Sequence, residues 1–151
     1  MKKERLKRLG KICTNLFPHL LLIIIVLFIS GCGKNNFNKK VFTETVEKNN
    51  FVAVDIEEKE YIETIAVSSH YQLSLFSYNK SKEVDKVFKD KIKYYKNKKV
   101  NIKHKKNYFY IENKNVYTIN YKINNYIIEA EVPKTYKEEV IKILKEMKLK
   151  L

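Results

Sequence analysis

The sequence lacks tryptophan and has only three glycines, two prolines and two cysteines among 151 residues. After Cys32 a single glycine, Gly33, and a single proline, Pro133, remain. Glycine-rich loops supply the closely approaching backbone N–H groups that hold phosphates and cofactors, so their scarcity disfavours such sites. Without tryptophan, the usual aromatic platform of sugar-cleaving enzymes is also missing, although tyrosine can replace it.

The two cysteines indicate neither a disulfide nor a metal site. If the segment between Cys13 and Cys32 is helical, it separates them by roughly 28 Å, whereas a disulfide holds its two Cα atoms close together. Zinc takes three or four Cys, His or carboxylate ligands. The acidic run at 55–63 lacks the glycine and the alternating ligands of a calcium loop. We therefore expect no metal and no cofactor.

Positive charge and aromatic residues are abundant. Lysine and arginine outnumber the acidic residues by 31 to 17, and the chain contains 11 tyrosines and 8 phenylalanines. The charge is unevenly distributed: residues 80–106 contain twelve lysines and three acidic residues, whereas 41–63 contain seven acidic residues and two lysines. The composition predicts one packed domain with two electrically different sides.

The first 31 residues have the three parts of a secretory signal peptide. Residues 1–11 carry six basic side chains, residues 20–29 are all apolar, and small residues follow. Spanning a bilayer takes about 20 apolar residues, and Pro18 and His19 interrupt any extension of the ten that are present. A cleaved signal is favoured over a membrane-spanning helix.

Ile29, Ser30, Gly31 and Cys32 resemble the bacterial lipobox, which a dedicated peptidase cuts before the cysteine. The resemblance implies that Ile29, Ser30 and Gly31 form the peptidase recognition site. It also implies that the Cys32 thiol carries a diacylglyceryl group with palmitate-like chains, and two acyl chains suffice for a stable membrane anchor. We expect a signal peptide at 1–31, a lipidated cysteine and tether at 32–38, and one extracytoplasmic domain at 39–151.

Hydrophobic periodicity predicts the elements of that domain. Asn38 can cap a helix at 39–49, Ser81 can cap a second helix, and the capping box Thr135–Glu138 starts a third. Val52, Val54 and Ile56 alternate with Ala53 and Asp55, which is typical of a half-buried strand. Further strands are expected at 61–67, 71–78, 108–111, 116–123 and 126–132, and 102–104 extends the fourth strand of the domain.

The order α-βββ-α-βββ-α and the short connections predict an α+β domain, an antiparallel sheet with helices on one face. The order also suggests an internal repeat, and Asn124-Asn125 is expected to form a tight turn. The arrangement, with a Tyr-Lys-Glu-Glu opening of the last helix, resembles small uncharacterised lipoproteins of low-GC Gram-positive bacteria. That resemblance brings no known activity with it.

No constellation of catalytic residues stands out, and we expect no enzyme. His70 follows Ser68 and Ser69 in a predicted turn, where adjacent residues rarely form a triad. His104 lies among lysines that would weaken it as a proton acceptor. Paired carboxylates of a glycosidase are not excluded by spacing alone.

Two functions remain for a lipoprotein on the outer face of the cytoplasmic membrane. The first is a binding or accessory module for an envelope protein, for which Tyr117, Tyr121 and Tyr126 offer an exposed face, although cross-strand tyrosines also suit a core. The second is adhesion to anionic wall polymer or lipid headgroups through 80–106; a solvated helix end is the alternative interpretation. The lysines concerned are Lys91, Lys93, Lys96, Lys98, Lys99, Lys103, Lys105 and Lys106. Nucleic acid is not an expected partner at this location.

Overall fold

The computed structural model describes residues 36–151, of which Phe37–Leu151 form one compact unit. The helices are α1 (Lys39–Lys48), α2 (Ser81–Asn97) and α3 (Lys137–Glu146), with a 3₁₀ turn at Lys134–Tyr136. The strands are β1 (Val52–Glu57), β2 (Tyr61–Val67), β3 (Gln72–Tyr78), β4 (Ile102–His104), β5 (Tyr108–Glu112), β6 (Val116–Ile123) and β7 (Tyr126–Pro133). The expected signal peptide and lipobox lie outside the described residues.

All seven strands form one antiparallel sheet in the order β1-β2-β3-β7-β6-β5-β4. Strands β1 to β3 form one meander and β4 to β7 form another, because short turns join consecutive strands. The two meanders meet where β3 pairs with β7, with Leu75 opposite Ile128. Strands β1 and β4 are therefore the two edges of the sheet.

Helices α1 and α3 cover one face of the sheet and form the larger core. Phe42 and Val46 of α1 are fully buried in it, as are Val140, Ile143 and Leu144 of α3. The sheet contributes alternate side chains of its strands, among them Leu73, Leu75, Tyr117, Ile119, Tyr121, Ile128, Ala130 and Val132. Burying this apolar surface is the main stabilising contribution to the fold.

Helix α2 packs on the opposite face, so the expectation that all helices share one face is correct only for α1 and α3. Val84 and Phe88 of α2 are buried against Phe109, Ile111 and Ile127 of the sheet. The reason lies in β5 and β7, where neighbouring apolar residues point to opposite faces and both faces need cover. The α+β class, the antiparallel sheet and the alternating order of helices and strands are confirmed.

The second half of the domain differs from the first in its strand count, and the internal repeat is not confirmed. Residues Ile102–His104 form a separate strand, β4, that pairs antiparallel with β5. The prediction that they extend the fourth strand was wrong, because the chain reverses between His104 and Tyr108. The second meander therefore has four strands and the first has three.

The helix starts agree only in part with the predicted caps. The Asn38 side chain accepts a hydrogen bond from the Val41 N–H at 3.0 Å, as expected of an N-cap. Ser81 is the first helical residue instead of the cap, and the Glu83 carboxylate accepts from the Lys80 N–H at 3.3 Å. The Thr135–Glu138 capping box was wrong, because the 3₁₀ turn precedes α3 and no side chain caps it.

The turn at Asn124-Asn125 is confirmed. Asn124 has a φ of 52°, a left-handed conformation that asparagine tolerates better than most residues. Ile123 and Tyr126 pair directly on either side of it, which makes a two-residue hairpin between β6 and β7. The Asn125 carbonyl accepts from the Tyr78 N–H at 2.9 Å and ties this turn to the end of β3.

Candidate functional surfaces

Lys91, the first of the predicted anion-binding lysines, makes an ion pair within the domain. Its ammonium pairs with the Glu129 carboxylate of β7, and both side chains are largely covered. The same ammonium lies 5.5 Å from the centroid of the Phe76 ring, within cation–π range. Lys91 therefore holds α2 onto the sheet and does not belong to a free basic surface.

The next four lysines do form an exposed group at the end of α2. Lys93 and Lys96 are exposed on the helix, and Lys98 and Lys99 follow it. Lys98 lies 4.6 Å from the centroid of the Tyr94 ring. None of the four makes an ion pair within residues 36–151. We call Lys93, Lys96, Lys98 and Lys99 the helix-end lysines.

Lys103, Lys105 and Lys106 lie on β4 and in the turn that follows it, and we call them the edge lysines. The ammonium of Lys103 is 5.5 Å from the Tyr110 ring centroid, and that of Lys105 is 5.7 Å from the Tyr108 ring centroid. Both rings belong to the face that α1 and α3 cover. The predicted basic segment is thus divided, because Lys103 and Lys105 are on the opposite face of the sheet from α2.

The structure does not show the predicted exposed face of Tyr117, Tyr121 and Tyr126. Tyr117 and Tyr121 are each 2% exposed, and the Tyr121 hydroxyl donates to the Lys150 carbonyl at 3.3 Å. Burial raises the pKa of Tyr117 above its usual range. Tyr126 is half-buried, with its ring 5.6 Å from that of Phe37. These tyrosines are core residues, which is the alternative that cross-strand tyrosines left open.

A small cavity of about 230 Å³ lies between β5, β6 and α3. Its lining includes the tyrosines Tyr108, Tyr110 and Tyr117, together with Lys137. The Lys137 ammonium donates to the Glu112 carboxylate at 3.0 Å, and Lys134 pairs with the same carboxylate at 3.0 Å. These two contacts lower the pKa of Glu112. The volume is below the roughly 300–1,000 Å³ of a typical small-molecule site.

A second cavity, of about 380 Å³, lies along α2 and is lined by Val87, Asp90, Lys91, Tyr94 and Tyr95. Lys91 in its wall already pairs with Glu129. Burial raises the pKa of Tyr95, and the charge of Glu129 adds to that effect. Of the lining residues, only Asp90 and the two tyrosine hydroxyls remain available to orient a ligand.

The two histidines of the domain lie at separate places in the sheet, His70 in the turn between β2 and β3 and His104 on the edge strand β4. The His70 Nδ1 is 2.5 Å from the Ser69 hydroxyl, and the ring centroid is 5.3 Å from that of Tyr136. No carboxylate bonds this ring within residues 36–151. His104 is exposed on β4, 6.5 Å from the Phe88 ring. Among residues 36–151, no three His, Cys, Asp or Glu side chains lie close enough together to hold one metal ion. None of the helices in this range has the length and hydropathy of a membrane span.

The structure exposes an apolar surface on β1 and β2 that the sequence pattern did not predict to be exposed. Val52, Val54 and Ile56 of β1 are 68%, 56% and 41% exposed, and Val67 of β2 is 46% exposed. The prediction of a half-buried β1 had these residues on the buried side, whereas Ala53 points to the core instead. We define Val52, Val54, Ile56, Ile65 and Val67 as the edge patch.

The edge patch lies on the α2 face of the sheet, beyond the area that α2 covers. Residues opposite each other on antiparallel strands share a face, and Ile56 is opposite Glu63, which is opposite Phe76 in the α2 core. That core contains no residue of β1 or β2. The patch is therefore an apolar sheet surface that no described element covers, which is typical of an interaction site.

The outer edge of β1 is also open. The Glu58 N–H donates to the Tyr61 carbonyl at 3.0 Å. Because backbone groups alternate in direction along a strand, those of Val52, Val54 and Ile56 point toward β2. Those of Ala53, Asp55 and Glu57 point outward, away from the sheet, where no strand of the described chain lies.

Acidic side chains surround this edge. The Lys39 ammonium beside Asp55 lowers the pKa of that carboxyl, and so does the Thr64 hydroxyl, which donates to it at 2.7 Å. Glu57, Glu58 and Glu60 are exposed and make no ion pair within residues 36–151. The first meander therefore presents an apolar face, an open backbone edge and free carboxylates together.

Comparisons with known proteins identify no family. No family model matches the chain, and no curated protein matches it. Among solved structures, a GTP binding regulator from Thermotoga maritima is similar, with 14% identity and a TM-score of 0.45. The match covers 75% of this chain and 86% of that one. A likeness at this level says nothing about function.

Proposed function

We propose that the protein is a lipid-anchored, non-catalytic binding module on the outer face of the cytoplasmic membrane, which serves an envelope protein. The proposed location at the membrane rests on the lipobox-like sequence Ile29-Ser30-Gly31-Cys32, which follows a basic segment and an apolar segment. The diacylglyceryl group on Cys32 holds the domain at the membrane, and residues 33–38 connect the two.

The exposed edge patch carries the binding part of the proposal. Monomeric domains rarely leave several large aliphatic side chains together in water. Fully burying one valine or isoleucine contributes about 1.5–3 kcal/mol, and four side chains of the patch are 41–68% exposed. Covering them with a partner would therefore contribute several kcal/mol to association, which is enough to support a specific contact.

The anchor is tested by labelling cells with a palmitate analogue. The wild-type protein is expected to take up label and to fractionate with the membrane, whereas Cys32→Ser loses both properties. Cys13→Ser is the matched control and should behave as wild type. Equal labelling of Cys32→Ser and the wild type would contradict the anchor.

The partner is tested by placing a photo-crosslinking amino acid at Val54 in intact cells. Lys89 on α2 is the matched control, because it is exposed and lies outside the edge patch. From position 54 we expect a discrete adduct with a protein other than this chain, which its mass distinguishes from a homodimer, and from position 89 we expect none. The same adducts from both positions, or none from either, would contradict docking at the edge patch.

Adhesion to anionic wall polymer or lipid headgroups is a second candidate. It is supported by the exposed helix-end lysines, which have no ion-pair partner in the described domain. Each lysine near an anionic membrane surface contributes about 1 kcal/mol, and salt screens the attraction. Lys103 and Lys105 on the other face, with Lys106 beside them in sequence, form a separate site with the same chemistry.

The division of the basic segment makes this candidate testable in two parts. One variant reverses the helix-end lysines to Glu and a second reverses the edge lysines, while Lys91 stays unchanged because it pairs with Glu129. Cosedimentation with anionic vesicles or isolated wall polymer is measured as salt rises. If the protein adheres through these lysines, one of the two variants should no longer cosediment, and the wild type should stop cosedimenting at high salt. Cosedimentation of both variants that does not depend on salt would contradict adhesion.

A further inference from the structure

We propose that the open edge of β1 binds β1 of a second copy of this chain, so that the two sheets join into one. This inference goes beyond the proposed function, because it concerns the backbone edge and leaves the side-chain face of the edge patch free. It rests on three features of β1: the direction of its backbone groups, the order of its side chains and the distribution of charge along it.

The backbone groups suit an antiparallel pair with a two-fold axis at Val54. In that register Ala53 lies opposite Asp55 of the second copy, and both have N–H and C=O groups that point outward. Each such pair exchanges two hydrogen bonds, so the two symmetric pairs form four. Val54 then lies opposite its own copy in a non-hydrogen-bonded pair, where side chains approach closest.

The side chains select this register over its neighbours. With the axis at Val54, Val52 lies opposite Ile56 of the second copy, and all these side chains remain on the α2 face. An axis at Asp55 would place two Asp55 carboxylates directly opposite each other, which is unfavourable. An axis at Ala53 would place Ile56 opposite the exposed Asn50 instead of an apolar residue.

Each end of the proposed pair carries one cation that is unpaired in the described chain, Lys48, beside the exposed carboxylate of Glu47. The antiparallel arrangement brings the carboxylates of Glu57, Glu58 and Glu60 toward the start of β1 in the second copy. Lys48, the last residue of α1, is exposed there and makes no ion pair within residues 36–151. The Glu57, Glu58 and Glu60 carboxylates of the two copies lie at opposite ends, and Asp55 near the centre is already paired with Lys39.

The other edge of the sheet does not offer an equally good partner. β4 has three residues and carries Lys103, with Lys105 directly after it, and short lysine-bearing edges deter strand pairing. If β4 of a second copy paired with β1 and α2 stayed on the same face of the joined sheet in both copies, the two strands would run parallel. One edge strand of each copy would then remain unpaired. Such a contact propagates into chains instead of closing as a dimer.

A six-residue strand pair buries less than the roughly 1,000 Å² of a stable interface, so the dimer is expected to be weak. Oxidative crosslinking of the full-length chain in intact cells suits a weak contact. Val54→Cys should form a disulfide-linked homodimer at least tenfold more than Lys89→Cys. The unmodified chain, with Cys13 and Cys32, gives the background.

The register is tested with two further cysteines. Val52→Cys and Ile56→Cys should each give little dimer alone but should crosslink to each other when the two variants are expressed together. Ala53→Pro removes an outward N–H without removing a β1–β2 hydrogen bond and should abolish the Val54→Cys dimer. Ala53→Ser, which keeps that N–H, should preserve it.

Several results would overturn the proposal. These are a Val54→Cys dimer no more abundant than that of Lys89→Cys, a dimer unaffected by Ala53→Pro, or efficient crosslinking between Val54→Cys and Lys103→Cys, which would indicate an open-ended chain. A different result refutes the proposed function. That function requires the photo-crosslinker at position 54 to form an adduct with another protein, whose mass differs from that of the homodimer.

Discussion

Replacing the buried Asn120 with leucine is expected to stabilise the domain. Asn120 of β6 is fully buried beneath α2, opposite Phe109 of β5 and Glu129 of β7. Neither its side-chain nitrogen nor its side-chain oxygen has a hydrogen-bond partner within residues 36–151. A polar group buried in this way costs about 1–3 kcal/mol. Leucine has the same branching as asparagine and no polar atom, so the substitution removes the cost without leaving a cavity, and its larger volume offsets part of the gain through overpacking.

We expect Asn120→Leu to raise the free energy of unfolding by about 1–2 kcal/mol. For a domain slightly longer than 100 residues, each kcal/mol raises Tm by roughly 4 °C. Thermal unfolding followed by circular dichroism and urea unfolding measure the two quantities. Asn101→Leu, at an exposed position, is the control and should change stability by less than about 0.5 kcal/mol.

The opposite result would refute this reasoning. If Asn120→Leu lowers the free energy of unfolding by about 1 kcal/mol or more, either the amide is bonded in solution, for example to a buried water, or the larger leucine side chain is overpacked. Asn120→Asp separates the two cases further. It should be strongly destabilising near neutral pH if the site is dry, because a carboxylate there has no compensating contact.

Three further predictions concern the core, a charged cluster and a turn. Phe42→Ala, at a fully buried position of α1, should lower the free energy of unfolding by about 3–5 kcal/mol in urea titrations; a loss below 1 kcal/mol would mean that α1 is not docked. The lowered pKa of Glu112 means that Lys137 and Lys134 stabilise its ionised form, a contribution present above about pH 4.5 and lost as pH falls through the folded-state pKa. Glu112→Gln should therefore reduce the loss of Tm on acidification, and an unchanged pH profile would contradict the cluster. Asn124→Ala should cost about 1 kcal/mol because of its positive φ, whereas Asn124→Gly should be nearly neutral; equal melting temperatures for both variants would argue against that turn geometry.

Local signals in the sequence predicted the elements that depend on near neighbours. The Asn38 cap, the stripe of Val84 and Phe88 on α2, and the Asn124-Asn125 hairpin all follow from contacts within a few residues. The antiparallel order followed from short connections for the same reason. The lipobox at 29–32 is likewise a local pattern, and it stays a prediction.

The tertiary structure alone decided which faces are covered and which charges are free. Alternation in β1 shows that Val52, Val54 and Ile56 share a face, but not that α2 stops short of that face. Lys91 looks like its neighbours in sequence, yet it pairs with Glu129, 38 residues away. A side-chain pattern specifies direction within one element, whereas burial and ion pairing depend on what distant parts of the chain place opposite it.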